Sequence, residues 1–204
     1  MITQYYAAEF VNREHSIMTL PTHYLITPSP EDEAAFIEGV EKSLQAGTRL
    51  MQLKAKGYSE EAYASLAERV VVLARSYDCK VLLTGNAELV EKLGADGLHL
   101  DSKALKQCKQ RPLSKRYLIA VSAHTLEGLQ QGEAIGASFG VLSPVRYTKA
   151  HPDIEPIGWQ GLKQIAAATT LPLYALGGVS SRDEAEAIAA DAQGVAGNKG
   201  YWKD

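Results

Sequence analysis

The sequence predicts an α/β fold: a (β/α)8 TIM barrel, formed by one domain and lacking its last helix. Three observations predict it. Eight short apolar stretches alternate with about seven segments of helical spacing, at roughly 20–25 residues per unit. Such alternation argues for parallel strands joined by crossover helices, and eight units favour closure over an open sheet. No G-x-G-x-x-G fingerprint follows the first strand, which weighs against an open dinucleotide-binding sheet. The length of 204 residues is near the short end for such a barrel.

Residues 1–22 read as an N-terminal extension, with Tyr5, Tyr6, Phe10 and Ile17 placed to turn one face of a helix toward the barrel of residues 23–204. Strand one is His23–Thr27, closed by Pro28-Ser29-Pro30. Glu31, Asp32 and Glu33 then open a helix at the positive end of its dipole, with Phe36, Val40 and Leu44 as its buried stripe and Gly47 as its stop. Strand two, Arg49–Lys54, alternates with period two. With Met51 and Leu53 toward the helices, Gln52 and Lys54 point into the barrel and its rim.

Ser59, Glu60 and Glu61 start the second helix, which runs through Leu66, Val70 and Leu73. Strand three is Lys80–Thr84, followed by Gly85-Asn86 and a helix bearing Leu89, Val90 and Leu93. Strand four is Leu98–Leu100; after it a polar stretch is expected, with Pro112 breaking any helix. Strand five (Tyr117–Val121) leads to a helix capped by Thr125, and strand six (Phe139–Leu142) to a long loop, Ser143–Gly158. Loops of that length in a compact domain are usually functional or disordered. A helix begins near Trp159.

The last segment repeats strand and glycine turn twice. Leu171–Leu176 ends in Gly177-Gly178, and Gly194–Ala196 ends in Gly197-Asn198-Lys199-Gly200, with a helix over Ala185, Ile188 and Ala189 between them. Glycines just past a strand let backbone N–H groups face an anion, and the loops after strands seven and eight of a barrel are where phosphate commonly sits. Only Tyr201-Trp202-Lys203-Asp204 follow, so the outer faces of strands eight and one need a cover. Residues 4–17, Tyr201-Trp202 or a second copy in a homodimer would supply it.

Bulk composition narrows the function. Hydrophobic content of 46% with 22% charged residues is ordinary for a globular domain, and a net charge of −3 argues against a nucleic-acid partner. No apolar run is long enough to span a membrane, and the N-terminus lacks the basic start and apolar core of a signal peptide. Cys79 and Cys108 have no metal or redox spacing, so a cytoplasmic protein with free thiols is expected.

Six motifs occur in order: Tyr24-Leu25-Ile26-Thr27, Gln52-Leu53-Lys54-Ala55-Lys56, Gly94 to Leu100, Val121 to Thr125, Thr148-Lys149, and Ala175 to Val179. Together they make residues 23–202 resemble the thiamine phosphate synthase family, which includes TenI-type thiazole tautomerases. Within the family, Gly97 to Ser102 and Lys199 to Trp202 are similar to the synthase-like domain fused behind a nudix hydrolase in some bacteria, here expected to stand alone without a nudix box. The resemblance implies a transferase that joins an aminopyrimidine diphosphate to a thiazole phosphate and expels pyrophosphate. It implies Lys54, Lys56 and Lys149 as the cations on the leaving diphosphate, with Thr148 and Ser122 closing around it. Gln52 and His99 would shape the pyrimidine pocket. Gly177 and Gly178, with Asn198, Lys199 and Gly200, would hold the thiazole phosphate. Lys54 stands where the family often has arginine, which turns a bidentate grip into a point charge.

The departures concern Mg2+ and the acid/base group. Thr84-Gly85 stands where the family synthase has an Asn-Asp pair, and Ala104 where it has a second aspartate, so Mg2+ is a doubtful cofactor with Asp101 its substitute ligand. Pro144 stands where the tautomerase has its histidine. A tautomerase, or a degenerate barrel that binds a thiamine-related phosphate without turnover, are the alternatives. His99 could instead be a packed barrel histidine, His124 could bond backbone, and His151 reads as solvated. Lys54 is harder to explain structurally, because an unpaired buried ammonium is costly.

Overall fold

The computed structural model describes residues 9–11, 17–149 and 152–203. Strands β1 (Glu9–Val11) and β2 (Ile17–Thr19) pair antiparallel as a separate two-stranded sheet. A helix was expected over this stretch. Phe, Val, Ile and Thr prefer extended backbone, and where the chain is described that preference prevails. Tyr5 and Tyr6 lie outside the described residues.

The barrel consists of β3 (His23–Ile26), β4 (Leu50–Gln52), β5 (Lys80–Thr84), β6 (Gly97–Leu100), β7 (Leu118–Ala123), β8 (Phe139–Leu142), β9 (Leu173–Ala175) and β10 (Gly194–Gly197). Each pairs in parallel with the next, and β10 closes onto β3. Outside lie α1 (Glu33–Gln45), α2 (Glu60–Arg75), α3 (Ala87–Leu93), α4 (Ser102–Gln107), α5 (Leu126–Ala134), α6 (Gly158–Ala166) and α7 (Glu184–Ala189). Asp32, Ser59, Asn86 and Thr125 cap their helices by accepting a backbone N–H. Gly94 ends α3 in the left-handed region at φ 62°, where a Cβ would be strained. Helix α4 corrects the sequence reading of a polar stretch: Asp101 caps it, accepting from the Ala104 N–H at 2.7 Å, and Pro112 lies beyond its end.

Strand alternation splits the core in two. Leu25, Met51, Leu53, Val81, Leu83, Leu98 and Ile119 pack with the helices. Tyr24, Leu50, Leu82, Ala120, Phe139, Val141 and Tyr174 fill the barrel. The rings of Tyr24, Phe139 and Tyr174 meet at its centre, with centroids 5.1–5.7 Å apart. Gln52 has the parity of Leu50, so it faces inward as expected, 6% exposed.

No helix follows β10 among the described residues; the C-terminal segment crosses back over the barrel as a strap. The Asn198 carbonyl accepts from the N–H groups of Tyr201 and Trp202, turning the chain toward α1. Tyr201 stacks on His23 at 4.6 Å between centroids, and Trp202 on Phe36 at 5.3 Å. A Cβ on Gly39 would lie 2.5 Å from the Trp202 ring, so glycine is what lets the indole seat on the helix. The Lys203 N–H donates to Ser43 Oγ at 3.1 Å, fixing the strap's far end. Of the three covers expected from the sequence, Tyr201-Trp202 is the one observed among the described residues.

Candidate active site

A cavity of about 830 Å3 opens at the C-terminal ends of the strands. Its walls come from consecutive strand ends: Gln52 and Lys54 at β4, Thr84 at β5, His99 and Asp101 at β6, Ser122 and His124 at β7, Ser143 after β8 and Leu176 after β9. Lys56 and the start of α2 complete one side.

Lys54 is the unusual group. It is half-buried, and burial pushes its pKa down, with the Lys56 charge adding to the effect. Among the described residues it makes no ion pair with a carboxylate, whereas Lys80, Arg146 and others do. Its backbone is pinned on both sides by Thr27, whose Oγ1 accepts from the Lys54 N–H at 2.9 Å and donates to the Lys54 carbonyl at 3.3 Å. Tyr63 reaches in from α2 to brace the next strand. Its hydroxyl donates to the Leu53 carbonyl at 3.1 Å and accepts from the Thr84 N–H at 2.8 Å. Thr84 Oγ1 donates to the same Leu53 carbonyl and accepts from Gln52 Nε2 at 2.9 Å. Tyr63→Phe leaves the Thr84 N–H without its partner, so a loss of about 1–2 kcal/mol in folding stability is expected by urea denaturation.

Below Lys54 runs a line of polar groups inside the hydrocarbon of the barrel. Tyr24 Oη lies 2.9 Å from His99 Nδ1, and His99 Nε2 lies 2.7 Å from Ser122 Oγ. Burial pushes the His99 pKa down to about 3; Asp101 opposes the shift and Lys54 adds to it. His99 is therefore a neutral imidazole at physiological pH. The Nδ1–H of His124 donates to the Ser143 carbonyl at 2.7 Å, and the residue also lines the cavity.

The structure thus brings Gln52, Lys54, Lys56, His99, Asp101 and Ser122 around one opening. Thr148, Lys149, Gly177, Gly178, Asn198, Lys199 and Gly200 lie on the loops after β8, β9 and β10, at the same end of the barrel but outside that cavity's lining. These loops are tied together. Val145 and Arg146 donate to the carbonyls of Leu176 and Gly177 at 2.8 and 2.9 Å, and Ser181 to that of Lys199 at 3.2 Å. Gly178, at φ 68°, lies against the Tyr147 carbonyl where a Cβ would collide, and a Cβ on Gly177 would sit 3.6 Å from Thr148 Cγ2. Lys149 is exposed, and His151 lies outside the described residues. Tyr63 is a site residue that the sequence reading did not single out. Tyr24 and Thr27 stood only within the first family motif, and Thr84 only as a departure from the Asn-Asp pair, with no role given to any of them.

The family profile described as "Thiamine monophosphate synthase" matches residues 23–200. The chain belongs to the thiamine monophosphate synthase family. A family protein of Aquifex aeolicus, provisionally named thiamine-phosphate synthase 2, is 32% identical over 88% of this chain and 97% of its own. The thiamine-phosphate synthase of Streptococcus suis is 30% identical over 87% of this chain and 80% of its own. Among solved structures, a thiamine phosphate pyrophosphorylase from Pyrococcus furiosus superposes with a TM-score of 0.69 at 23% identity, covering 86% of this chain and 84% of that one. At that identity the superposition speaks for the barrel alone.

Family membership raises the question of Mg2+, which is usually held by one or two carboxylates beside substrate phosphates and waters. The carboxylates lining the cavity are Asp101, Glu60 and Glu61. Among the described residues no three or more His, Cys, Asp or Glu side chains are grouped to hold a metal ion. One Asp101 oxygen is engaged in capping α4. No helix among the described residues is long and apolar enough to cross a membrane.

Proposed function

We propose that this chain is a thiamine phosphate synthase, joining an aminopyrimidine methyl diphosphate to a thiazole phosphate. The bond from the pyrimidine methylene to the diphosphate oxygen breaks, and its electron pair leaves with pyrophosphate. The thiazole nitrogen lone pair forms the new carbon–nitrogen bond. The transition state separates a benzylic-type cation from a diphosphate whose negative charge is growing, so catalysis consists mainly of placing fixed positive charge where that growth occurs.

The observation that carries this reading is Lys54: a half-buried ammonium, without a carboxylate partner among the described residues, at the wall of a cavity large enough for a substrate. An unpaired, partly desolvated cation is costly to hold, and a bound anion offsets that cost. Lys56 adds a second charge from the rim, and Lys149 a third from the loop after β8. Gln52 and His99 were expected to shape the pyrimidine pocket and Ser122 to close on the diphosphate. Because Ser122 is bonded to His99 at 2.7 Å, we assign it to the pyrimidine beside Gln52, with His99 supporting it from beneath. The paired glycine loops, Gly177-Gly178 and Asn198-Lys199-Gly200, with Thr148, are assigned to the thiazole phosphate. The known chemistry of barrel phosphate loops supports this assignment.

Incubation with both substrates, following pyrophosphate release and thiamine phosphate formation, tests the proposal. Turnover that needs both substrates is expected; no product at high enzyme concentration removes it. Thr84-Gly85, in place of an Asn-Asp pair, favours a second reading in which the barrel binds a thiamine-related phosphate without turning it over. Binding of thiamine phosphate with no turnover would leave that one standing.

A further inference from the structure

The polar line beneath the cavity has a direction. Tyr24 is fully buried, its pKa raised chiefly by burial, so it stays a phenol with one proton to place. Besides His99, the rings beside it are Phe139 and Tyr174, and the Tyr174 hydroxyl is turned away, donating to the Pro21 carbonyl at 2.6 Å. His99 Nδ1 is the acceptor within reach of the Tyr24 hydroxyl, and a buried O–H left without one costs about 1–3 kcal/mol. Tyr24 therefore donates. Nδ1 accepts, so the neutral imidazole carries its proton on Nε2. That N–H donates to Ser122 Oγ, 2.7 Å away. With its oxygen receiving this bond, Ser122 directs its own proton elsewhere, and it lines the cavity. In the reverse order Ser122 would donate to Nε2 and the Nδ1–H to Tyr24, leaving the phenol proton among hydrocarbon.

We propose that Tyr24 is a positioning residue that holds His99 as its Nε2–H tautomer, so that Ser122 presents a hydrogen-bond donor to the ligand and the cavity selects an acceptor atom, a heterocycle ring nitrogen, at that point. The assignment of the ring as an aminopyrimidine rests on the function proposed above; the direction of the line does not. A ligand with C–H in place of that nitrogen leaves the Ser122 proton unpaired, and sites built to bond a polar group reject such analogues.

Two experiments separate the parts. In the ligand-free protein, a two-bond 1H–15N spectrum at neutral pH reports the tautomer of His99, assigned by its loss in His99→Gln. Protonated Nε2 with a bare, hydrogen-bonded Nδ1 is expected, and Tyr24→Phe should move the Nδ1 signal toward that of an unbonded nitrogen. A protonated Nδ1, or a signal indifferent to Tyr24→Phe, overturns the proposal whether or not the protein is an enzyme. Binding of 4-amino-2,5-dimethylpyrimidine is then compared with its two pyridine analogues, each with one ring nitrogen replaced by C–H. At least one analogue should bind roughly 10-fold more weakly than the parent, and that difference should vanish in Ser122→Ala and shrink in Tyr24→Phe. Equal binding of all three rings, or discrimination that persists in Ser122→Ala, contradicts it.

Discussion

Lys54→Ala is expected to lower turnover by roughly 100- to 1,000-fold, the range seen when one preorganised donor to a developing anion is removed. Folding stability should not fall with it, because the substitution removes a half-buried charge that has no carboxylate partner among the described residues. Lys54→Arg should retain much of the activity, since the charge is kept and a bidentate grip becomes available. Lys56 is exposed at the rim, where solvent screens it, so Lys56→Ala should cost far less. The pH dependence has a definite sign. Diphosphate binding needs Lys54 protonated, and its pKa is lowered, first by burial and then by Lys56. Affinity for pyrophosphate should therefore fade as pH rises through a value below the usual lysine range. In Lys56→Ala that alkaline limb should move to higher pH, and a limb that stays put would show that the two ammonium groups do not share the mouth.

The second large effect is on stability. Trp202→Ala is expected to cost about 2–3 kcal/mol in urea denaturation, less than the 3–5 kcal/mol of a fully buried aromatic because the indole is only partly covered. The loss combines the Phe36 stack with the cavity left above Gly39. Gly39→Ala should destabilise through the same contact, since its methyl would enter the ring. Close neighbours are coupled, so in the Trp202→Ala background the Gly39→Ala cost should disappear or reverse. Additive losses would mean that the strap does not rest on α1 in solution.

How much of this could be read from the sequence depended on whether the cause was local. Sheet alternation is strict, so Leu50 to Lys54 sufficed to send Gln52 and Lys54 inward, and Lys80–Thr84 and Phe139–Leu142 were bounded as observed. Helix α4 was hidden because it is short, ending at Gln107, and its only clear start signal is the Asp101 cap directly after the strand. The cover over β10 and β3 was open among three choices, since nothing in Tyr201-Trp202 itself states that Gly39 leaves room for an indole. Tyr63 escaped notice, and Tyr24 stood only as part of a motif, for the same reason. One is a helix residue and the other a barrel-core residue by pattern, and each acquires its polar role through a partner brought near only by the fold. Asn198 carried a double meaning: a residue expected at a phosphate loop also launches the strap through its carbonyl.

The central claim is that the ammonium of Lys54 faces a bound diphosphate. Crystals of the protein soaked in pyrophosphate test it directly. The account predicts density in the strand-end cavity with a phosphate oxygen within about 3 Å of Lys54 Nζ, the length of a charge-assisted hydrogen bond. Pyrophosphate ordered elsewhere, for instance along the basic stretch from Lys106 to Arg116, with Lys54 left facing water, would contradict it.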